Sequence, residues 1–328
     1  MRTKILDLLR SADGAYVSGE EIARRLDVSR TAVWKHVQEL KQAGYAIESQ
    51  SRSGYRLAGA PDRLLPEEIG AVLTTKTLGR TVYYFDEVDS TNNKAKALAA
   101  QGAPDGAIVV AEAQGGGRGR LSRGWFTPHG KGVWFSIVLR PRFLPQEAPK
   151  CTLLAAVAIT KGIRAATGID VGIKWPNDIL YEGKKLVGIL TEMSAEMDGI
   201  NYVVIGMGIN VNIWQEELPE EIRATATSLA AIGGRCFRRL DVLAASLAAM
   251  EPLYERVQQE GFAPVLDEWR KYAVTLGQEV NVISVDQVFS GRAVDIDSEG
   301  ALLVERADGA VERVLAGDVS IRPKQSAQ

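Results

Sequence analysis

The sequence is poor in the residues that build metal centres and disulfide frameworks. It contains two cysteines, Cys151 and Cys236, which lie far apart in the chain, and two histidines, His36 and His129. Because these residues lack the spacing of metal ligands, we expect no zinc site, and the low cysteine content is typical of the reducing cytoplasm. No apolar run is long enough to span a membrane, and charges interrupt the apolar residues of segment 1–14, so we expect no membrane helix and no signal peptide.

Two further absences exclude classes of protein and of nucleotide-binding motif. The formal net charge of −2 excludes a uniformly basic nucleic-acid-binding protein but allows a local basic patch. The sequence has neither a P-loop pattern nor a G-x-G-x-x-G that opens a βα unit, so any bound nucleotide must be held by another device. With 328 residues, 46% of them hydrophobic and 24% charged, the chain has the composition of a globular protein of two or three domains.

Residues 1–60 show the pattern of a helix-turn-helix followed by a hairpin. Ser18 and Glu21 have capping-box spacing before one predicted helix, Ser29 can cap the next helix, and Gly44 can end it. A polar turn follows between two short β segments, as in a winged helix. The outward positions of the second helix and the tip of the hairpin are candidates for contacts with DNA: Arg30, Thr31, Trp34, Lys35, Gln38 and Arg52. The alternative is a helical protein-interaction module, but the capping, the short turn and the basic hairpin favour DNA.

The rest of the chain predicts a mixed sheet and a small barrel. After a linker near 58–66, residues 67–270 alternate strands and helices, and the hairpins among the strands favour a mixed α+β sheet over a parallel one. Residues 275–322 hold short β-rich runs separated by turns, which is typical of a small barrel. We therefore expect three domains, at 1–62, 63–272 and 273–328.

The most informative stretch is Ala113–Thr127, which is rich in glycine and arginine and ends in aromatic residues. Its notable members are Gly115, Gly116, Gly117, Arg118, Gly119, Arg120, Arg123 and Trp125. Glycine lets an anion approach the backbone amides, and the planar guanidinium of arginine suits phosphate oxygens. The stretch thus predicts a loop that folds over a phosphorylated ligand. A flexible linker is the alternative, but apolar strand-like runs on both sides place the stretch inside a folded domain.

Two more segments carry candidate chemistry. In Lys174–Asp178 the proline and the Asn–Asp pair predict a turn that aims Asn177 and Asp178 from a strand end. The alternative is a turn that only caps its own backbone. Lys185 enters an apolar strand. It either guards a sheet edge or places an ammonium over a reacting carboxylate.

The segments QGGGRGRLSRGWFTP, KWPNDI, GKKLVGIL and GMGIN resemble the signature segments of biotin protein ligases. With the winged helix before them, the chain is similar to the bifunctional members, which join a biotin operon repressor to a biotin–[carboxyl-carrier protein] ligase. The resemblance covers essentially the whole chain in order. It implies a class II synthetase-like catalytic domain and an SH3-like C-terminal barrel. It also implies a reaction in which biotin and ATP, with Mg²⁺, give biotinyl-5′-AMP, whose acyl group passes to a lysine of a carrier such as that of acetyl-CoA carboxylase.

The resemblance also implies roles for individual residues. Contacts with the ureido ring of biotin fall on Ser90, Thr91, Asn92 and Gln114, of which Ser90 and Thr91 could also simply cap a helix. Arg118, Gly119 and Arg120 handle the phosphate and biotin, Arg123 is a weaker match, and Leu121 replaces a basic residue of some members. Gly115, Gly116, Gly117 and Trp125 belong to the loop that covers the adenylate, Lys185 lies near the biotin carboxylate, and Asp178 near the acyl-transfer centre.

The partners implied in the same way are the carrier protein, operator DNA and, with adenylate bound, a second copy of the chain, with no membrane. Two other functions stay open at this point. The first is a lipoate ligase, against which the winged helix and KWPND argue. The second is a DNA-binding regulator without catalysis, against which Arg118, Arg120 and Lys185 argue.

Overall fold

The computed structural model describes residues 1–119, 124–196, 199–284, 288–315 and 319–323. The chain divides into two compact units, residues 1–63 and 64–328. The first unit consists of α1 (Arg2–Ser11), α2 (Gly19–Leu26), α3 (Arg30–Gln42), β1 (Ala46–Gln50) and β2 (Gly54–Gly59). The two strands pair antiparallel, and the predicted winged helix-turn-helix is confirmed.

Local sequence signals explain the helices of the first unit. The hydroxyl of Ser18 accepts a hydrogen bond from the amide of Glu21 at 3.1 Å, and the hydroxyl of Ser29 accepts one from the amide of Ala32 at 3.1 Å. These bonds satisfy amides that would otherwise lack partners at the starts of α2 and α3. Gly44 follows α3 with φ of +97°, a conformation that glycine adopts without strain.

The second unit begins with α4 (Pro66–Val72), β3 (Val82–Val88), α5 (Thr91–Ala100), β4 (Ile108–Gln114), β5 (Gly132–Leu139) and α6 (Cys151–Thr167). It continues with β6 (Gly172–Lys174), β7 (Asp178–Tyr181), β8 (Lys184–Glu196), β9 (Gly199–Asn210), α7 (Glu220–Arg223), α8 (Leu229–Gly233), α9 (Arg239–Glu260) and α10 (Ala263–Tyr272). Short 3-10 helices span Pro145–Lys150 and Gln215–Glu217. The 3-10 helix that contains Pro149 leads directly into α6 at Cys151.

The central sheet has seven strands in the order β3-β4-β5-β9-β8-β7-β6. Among these seven strands as the structure describes them, β3 and β4 pair in parallel, with α5 as their crossover, and the other neighbouring pairs are antiparallel. This confirms the mixed sheet. Alternate residues of β4 point to opposite faces: Val110 joins the large core beneath α6 and α9, while Val109 packs with Ala95 and Ala99 of α5. The candidate site lies on the α5 face.

The chain ends in five short strands, β10 (Glu279–Ser284), β11 (Val288–Ile296), β12 (Leu302–Glu305), β13 (Val311–Val314) and β14 (Val319–Pro323). They form an antiparallel sheet in the order β13-β12-β11-β10-β14. The C-terminal β domain is thus confirmed, whereas its closure into an SH3-like barrel and the three domain boundaries stay predictions. Within the described ranges, no helix is long and apolar enough to cross a membrane.

Candidate active site

The floor of the site is a group of glycines on the α5 face of the sheet. Gly188 of β8 pairs with Gly208 of β9, and Gly206 lies two residues earlier on the same face. A Cβ at Gly206 would overlap the side-chain oxygen of Asn92, and a Cβ at Gly208 would overlap the indole nitrogen of Trp125. The absence of side chains therefore lets the start of α5 and the indole lie directly on the sheet. No sequence argument for these glycines was available beyond their place in the family segments.

A polar cluster joins α5, β4 and β5 above this floor. The amide and hydroxyl of Thr91 donate to Oε1 of Gln114 at 2.8 and 3.1 Å. The hydroxyl of Ser136 lies 2.8 Å from Oγ1 of Thr91 and 2.6 Å from Oδ1 of Asn92. Oε1 of Gln114 is thus occupied, and the amide orientation directs Nε2 of Gln114 away from Thr91. Ser136 is a member of the cluster that the sequence did not indicate.

The contacts of Ser90 and Asn92 bear on the roles predicted for these two residues at the start of α5. Ser90 is the N-cap residue of α5, yet its hydroxyl makes no capping hydrogen bond, so the helix-cap interpretation is wrong for this side chain. Nδ2 of Asn92 donates to the carbonyl of Leu190 at 3.2 Å and to Oε2 of Glu192 at 2.8 Å. Because both of its ends are bonded to the protein, Asn92 fits a positioning role better than a direct ligand contact.

Glu192 of β8 adds a charged group to this polar cluster through its hydrogen bond with Asn92. Its Oε1 lies 2.6 Å from Nζ of Lys96, and the two side chains are about equally half-buried. Burial alone would raise the pKa of the Glu192 carboxyl, but the hydrogen bonds from Lys96 and Asn92 outweigh burial, and the pKa is lowered overall. The carboxylate is therefore ionised at neutral pH and can only accept hydrogen bonds.

The glycine-arginine loop is fixed at its base. The amides of Gly115 and Gly116 donate to the carbonyls of Val88 and Asp89, each at 2.8 Å, and the amide of Trp125 donates to the carbonyl of Gly117 at 2.9 Å. The first two amides are therefore used by the backbone and are not available to an anion. The expected approach of an anion to the glycine amides of this loop therefore does not apply to Gly115 and Gly116.

Arg118 is a positively charged residue in the part of this loop that the structure describes. Its side chain is exposed, and its guanidinium donates to Oδ1 of Asn93. Nδ2 of Asn93 in turn donates to Oδ2 of Asp89 at 2.6 Å, which lowers the pKa of the Asp89 carboxyl. Gly119 is half-buried beside Arg118. The predicted residues Arg120 and Arg123 lie outside the described residues.

Lys185 forms the second cationic centre. Its Nζ lies 2.6 Å from Oδ1 of Asp178 and 5.1 Å from the ring centre of Trp125. The backbone of Lys185 pairs with β7 on one side and is bonded to Thr225 and Thr227 on the other. Because both sides of the strand are hydrogen-bonded here, the interpretation of Lys185 as a guard of an open sheet edge is wrong.

The turn before Asp178 is attached to the sheet. Nδ2 of the buried Asn177 donates to the carbonyl of Ile189 at 2.9 Å, and the amide of Ile189 donates to the carbonyl of Asn177 at 3.0 Å. Asn177 thus attaches the turn to β8, directly before Asp178.

One face of the sheet therefore carries three kinds of chemical group close together. The Thr91–Gln114 cluster offers neutral donors and acceptors, Trp125 offers an aromatic surface next to Gly117, and Lys185 offers a cation beneath that ring. Such a site suits a ligand with a neutral polar ring at one end and an acidic group at the other. Among the residues that the structure describes, no three His, Cys, Asp or Glu side chains are grouped to hold a metal ion.

The candidate DNA-binding residues lie as predicted on the first unit. Arg30, Thr31, Trp34 and Lys35 are exposed on α3, Gln38 is half-buried, and Arg52 is exposed at the hairpin tip. The hairpin is braced by Tyr16, whose hydroxyl donates to Oε2 of Glu48 at 2.8 Å. This arrangement gives an exposed helix face, with two basic residues, beside a fixed hairpin.

Comparisons with known proteins agree with this description. Residues 84–210 match the Biotin/lipoate A/B protein ligase family, residues 2–56 match an HTH domain, and residues 275–322 match the Biotin protein ligase C terminal domain. The Bifunctional ligase/repressor BirA of Bacillus subtilis (strain 168) is 42% identical over 321 residues, which cover 98% of this chain and 98% of that protein. The protein of the same description from Escherichia coli (strain K12) is 30% identical over 97% of this chain and 96% of its own length.

A similar solved structure is the biotin protein ligase from Aquifex aeolicus in complex with biotin and ATP. It superposes with a TM-score of 0.65 and 30% sequence identity, and the match covers 75% of this chain and 100% of that chain.

Proposed function

Because the chain belongs to the biotin protein ligase family and matches bifunctional ligase/repressors over 98% of its length, we infer that it is both a ligase and a repressor. As a ligase it forms biotinyl-5′-AMP from biotin and ATP and transfers biotin to a lysine of a biotin carboxyl carrier protein. As a repressor it binds the operator of biotin genes through its N-terminal unit. The observation that supports the catalytic part most directly is the Lys185 ammonium, held by Asp178 beneath Trp125 on the face that carries the Thr91–Gln114 cluster.

In the first step a carboxylate oxygen of biotin attacks the α-phosphorus of ATP, and the bond to pyrophosphate breaks. Both reactants are anionic, and charge builds up on the phosphate oxygens in the transition state. We assign the Lys185 ammonium to the biotin carboxylate and the α-phosphate, and the Arg118 guanidinium to the phosphate. Fixed cations lower this barrier because they need no reorganisation during the reaction. Arg120 and Arg123 are proposed to add charge to the same loop.

The neutral cluster is proposed to hold the ureido ring of biotin. That ring offers two N–H donors and one carbonyl acceptor, which match the hydroxyl oxygen of Thr91 and the Nε2 group of Gln114. Ser90 is buried beside them at the start of α5. Binding the ring at one end positions the carboxylate at the other end near Lys185, which converts a reaction between two substrates into a reaction of aligned groups.

In the second step the amine of the carrier lysine attacks the acyl carbon of the adenylate, and AMP leaves. Asp178, which pairs with Lys185, is proposed to lie near this centre and to orient the incoming amine. The adenylate hydrolyses readily in water, so a loop that closes over it protects it until the carrier arrives. Gly115 and Gly116 fix the base of that loop, and Gly117 connects it to Trp125, which is proposed to cover the ligand.

Mg²⁺ is proposed to arrive with ATP as part of the substrate. The described residues hold no cluster of three metal-binding side chains, whereas the triphosphate itself binds Mg²⁺. We also propose that the protein acts in the cytoplasm, where its carrier protein and operator DNA are found, and that the adenylate-bound form is a homodimer.

The decisive experiment mixes the purified chain with ATP, Mg²⁺ and either biotin or lipoate, with and without a biotin carboxyl carrier domain. We expect release of pyrophosphate with biotin, none above background with lipoate, and biotin on the carrier lysine by mass spectrometry. Transfer of lipoate instead would identify a lipoate ligase. Tight binding of biotin without pyrophosphate release would identify a regulator that has no catalytic activity.

A further inference from the structure

We propose that Glu192 is a positioning residue that sets the direction of the hydrogen bonds in the biotin cluster, so that the Thr91 oxygen faces the ligand as an acceptor. This inference rests on the proposed function, because it takes the Thr91–Gln114 cluster as the ring-binding part of the site. Glu192 lies on β8, a hundred residues away from Asn92 in sequence, and it acts through the side chain of Asn92.

The orientation of the Asn92 side-chain amide is the first thing that Glu192 determines. The groups that face one end of its amide are the carboxylate of Glu192 and the carbonyl of Leu190, and both are pure acceptors. That end must therefore be the NH₂ group, and the oxygen of Asn92 must face Ser136. The oxygen is 2.6 Å from the Ser136 hydroxyl.

The orientation of the Asn92 amide then determines the hydrogen bonds of Thr91, through the one hydrogen of the Ser136 hydroxyl. The Ser136 hydroxyl lies within hydrogen-bond distance of both Asn92 and Thr91 but has only one hydrogen to donate. The oxygen of Asn92 can only accept, and it is the nearer of the two, so it takes that hydrogen. Thr91 then shares its own hydrogen between the Ser136 oxygen at 2.8 Å and Oε1 of Gln114 at 3.1 Å, and the Thr91 oxygen keeps its lone pairs for an N–H group of the ligand.

Lys96 makes this arrangement sensitive to the charge of residue 192. Its ammonium lies against Oε1 of Glu192, and an ammonium has donors only. In Glu192→Gln the amide oxygen must therefore stay at Lys96, which places the new NH₂ group against the NH₂ of Asn92. The amide of Asn92 has to turn over, the Ser136 hydrogen is released to Thr91, and the Thr91 oxygen no longer has its full acceptor capacity for the ligand.

The test compares three variants of the full-length protein: Glu192→Gln, Lys96→Met and the double variant. For Glu192→Gln we expect the dissociation constant for biotin, measured by calorimetry, to rise about tenfold, the scale of one misdirected buried hydrogen bond. The rate of pyrophosphate release at saturating biotin should change much less, because Lys185 and Arg118 are untouched.

The double variant separates this mechanism from a general need for the ion pair. Without Lys96 the glutamine can present its oxygen to Asn92, so we expect Glu192→Gln/Lys96→Met to recover most of the lost affinity. Lys96→Met alone should bind biotin more tightly than Glu192→Gln, since the carboxylate still accepts from Asn92. Equal losses in both single variants with no recovery in the double variant would overturn the proposal. A wild-type protein that does not adenylate biotin would instead overturn the proposed function.

Discussion

Lys185 and Asp178 form an ion pair of 2.6 Å between Nζ and Oδ1, and the backbone hydrogen bonds on both sides of Lys185 hold it in the interior of the sheet. A lysine in this position has a defined direction, towards the ring of Trp125. This geometry favours a role in the reaction over a role in solubility.

We therefore predict that Lys185→Ala slows adenylate formation by about two to three orders of magnitude, because a fixed cation contributes about 3 kcal/mol to such a transition state. The measurement is pyrophosphate release in single turnovers. The neighbouring, exposed Lys184→Ala is the matched control and should react normally. If Lys185→Ala makes the adenylate at the normal rate and only precipitates more easily, the catalytic assignment of Lys185 is wrong.

Arg118→Ala is expected to impair adenylate formation far more than stability. The side chain is exposed and its described partner is Asn93, so little packing is lost, whereas one charge-assisted contact with phosphate accounts for about 2–4 kcal/mol of transition-state stabilisation. Pyrophosphate release and thermal unfolding are measured on the same preparation. Arg256→Ala, an exposed arginine of α9 paired with Glu260, serves as the control. Wild-type pyrophosphate release by Arg118→Ala would remove Arg118 from the mechanism.

The sequence predicted those parts of the fold and site that depend on neighbouring residues. The caps at Ser18 and Ser29 and the end of α3 at Gly44 follow from local hydrogen bonding and backbone freedom, and all three are present. The mixed sheet followed from its hairpins. The family resemblance implied one site for Thr91, Gln114 and Lys185, and the structure brings them to one face of the sheet.

Contacts between distant parts of the chain could not be predicted in this way. The NH₂ of Asn92 meets Glu192 a hundred residues later, and the buried Glu112 pairs with Arg239 at a separation of 127 residues. No local pattern marks such partners, because tertiary packing alone brings them together. The resemblance implied a ligand contact at Asn92, which stays a prediction, whereas no local pattern indicated the protein partners at both ends of its amide.

Glu251 makes stability depend on pH in the acidic range. Its carboxylate accepts hydrogen bonds of 2.7, 2.7 and 2.9 Å from the amides of Lys76, Thr77 and Leu78. Burial would raise the pKa of Glu251, but these three bonds outweigh it and the pKa is lowered. A carboxyl whose pKa is lower in the folded state stabilises the fold above its unfolded pKa, and this contribution is lost as the pH falls through the folded value.

We therefore expect Glu251→Gln to destabilise the second unit by about 1–3 kcal/mol at pH 7, the range for hydrogen bonds to a charged group. The difference from the wild type should shrink as the pH falls below about 4.3, the ordinary pKa of glutamate. Urea unfolding at several pH values measures both effects, with Glu260→Gln on the exposed end of α9 as control. A difference that stays constant between pH 7 and pH 3 would contradict the assignment.

Trp34 and Lys35 are expected to be needed for DNA binding and dispensable for catalysis. Both are exposed on α3, and Trp34, a large apolar residue, is 56% exposed to solvent, which is unusual unless a partner covers it. Lys35→Ala should weaken binding to operator DNA and reduce its salt dependence, because it removes a phosphate contact. Trp34→Ala should weaken binding without that change in salt dependence. Loss of pyrophosphate release in either variant would show that the effect is not confined to DNA.

The last prediction concerns the coupling of the two activities by the adenylate. β7 pairs with β8 only as far as Gly188, so within the described part of the sheet the segment from Leu190 to Glu196 has one edge without a neighbouring strand. We expect biotinyl-5′-AMP to order the Gly115–Trp125 loop and so lower the entropic cost of pairing two copies through the central sheet. A dimer presents two α3 helices to the two halves of a palindrome, which raises affinity for the operator without any new kind of contact.

The carrier protein should oppose dimerisation by consuming the adenylate. Sedimentation and operator binding, each with and without biotinyl-5′-AMP, test the coupling, and Arg118→Ala with added adenylate shows whether the loop transmits it. If dimerisation and operator affinity are both indifferent to the adenylate, the N-terminal unit does not respond to catalysis in this way.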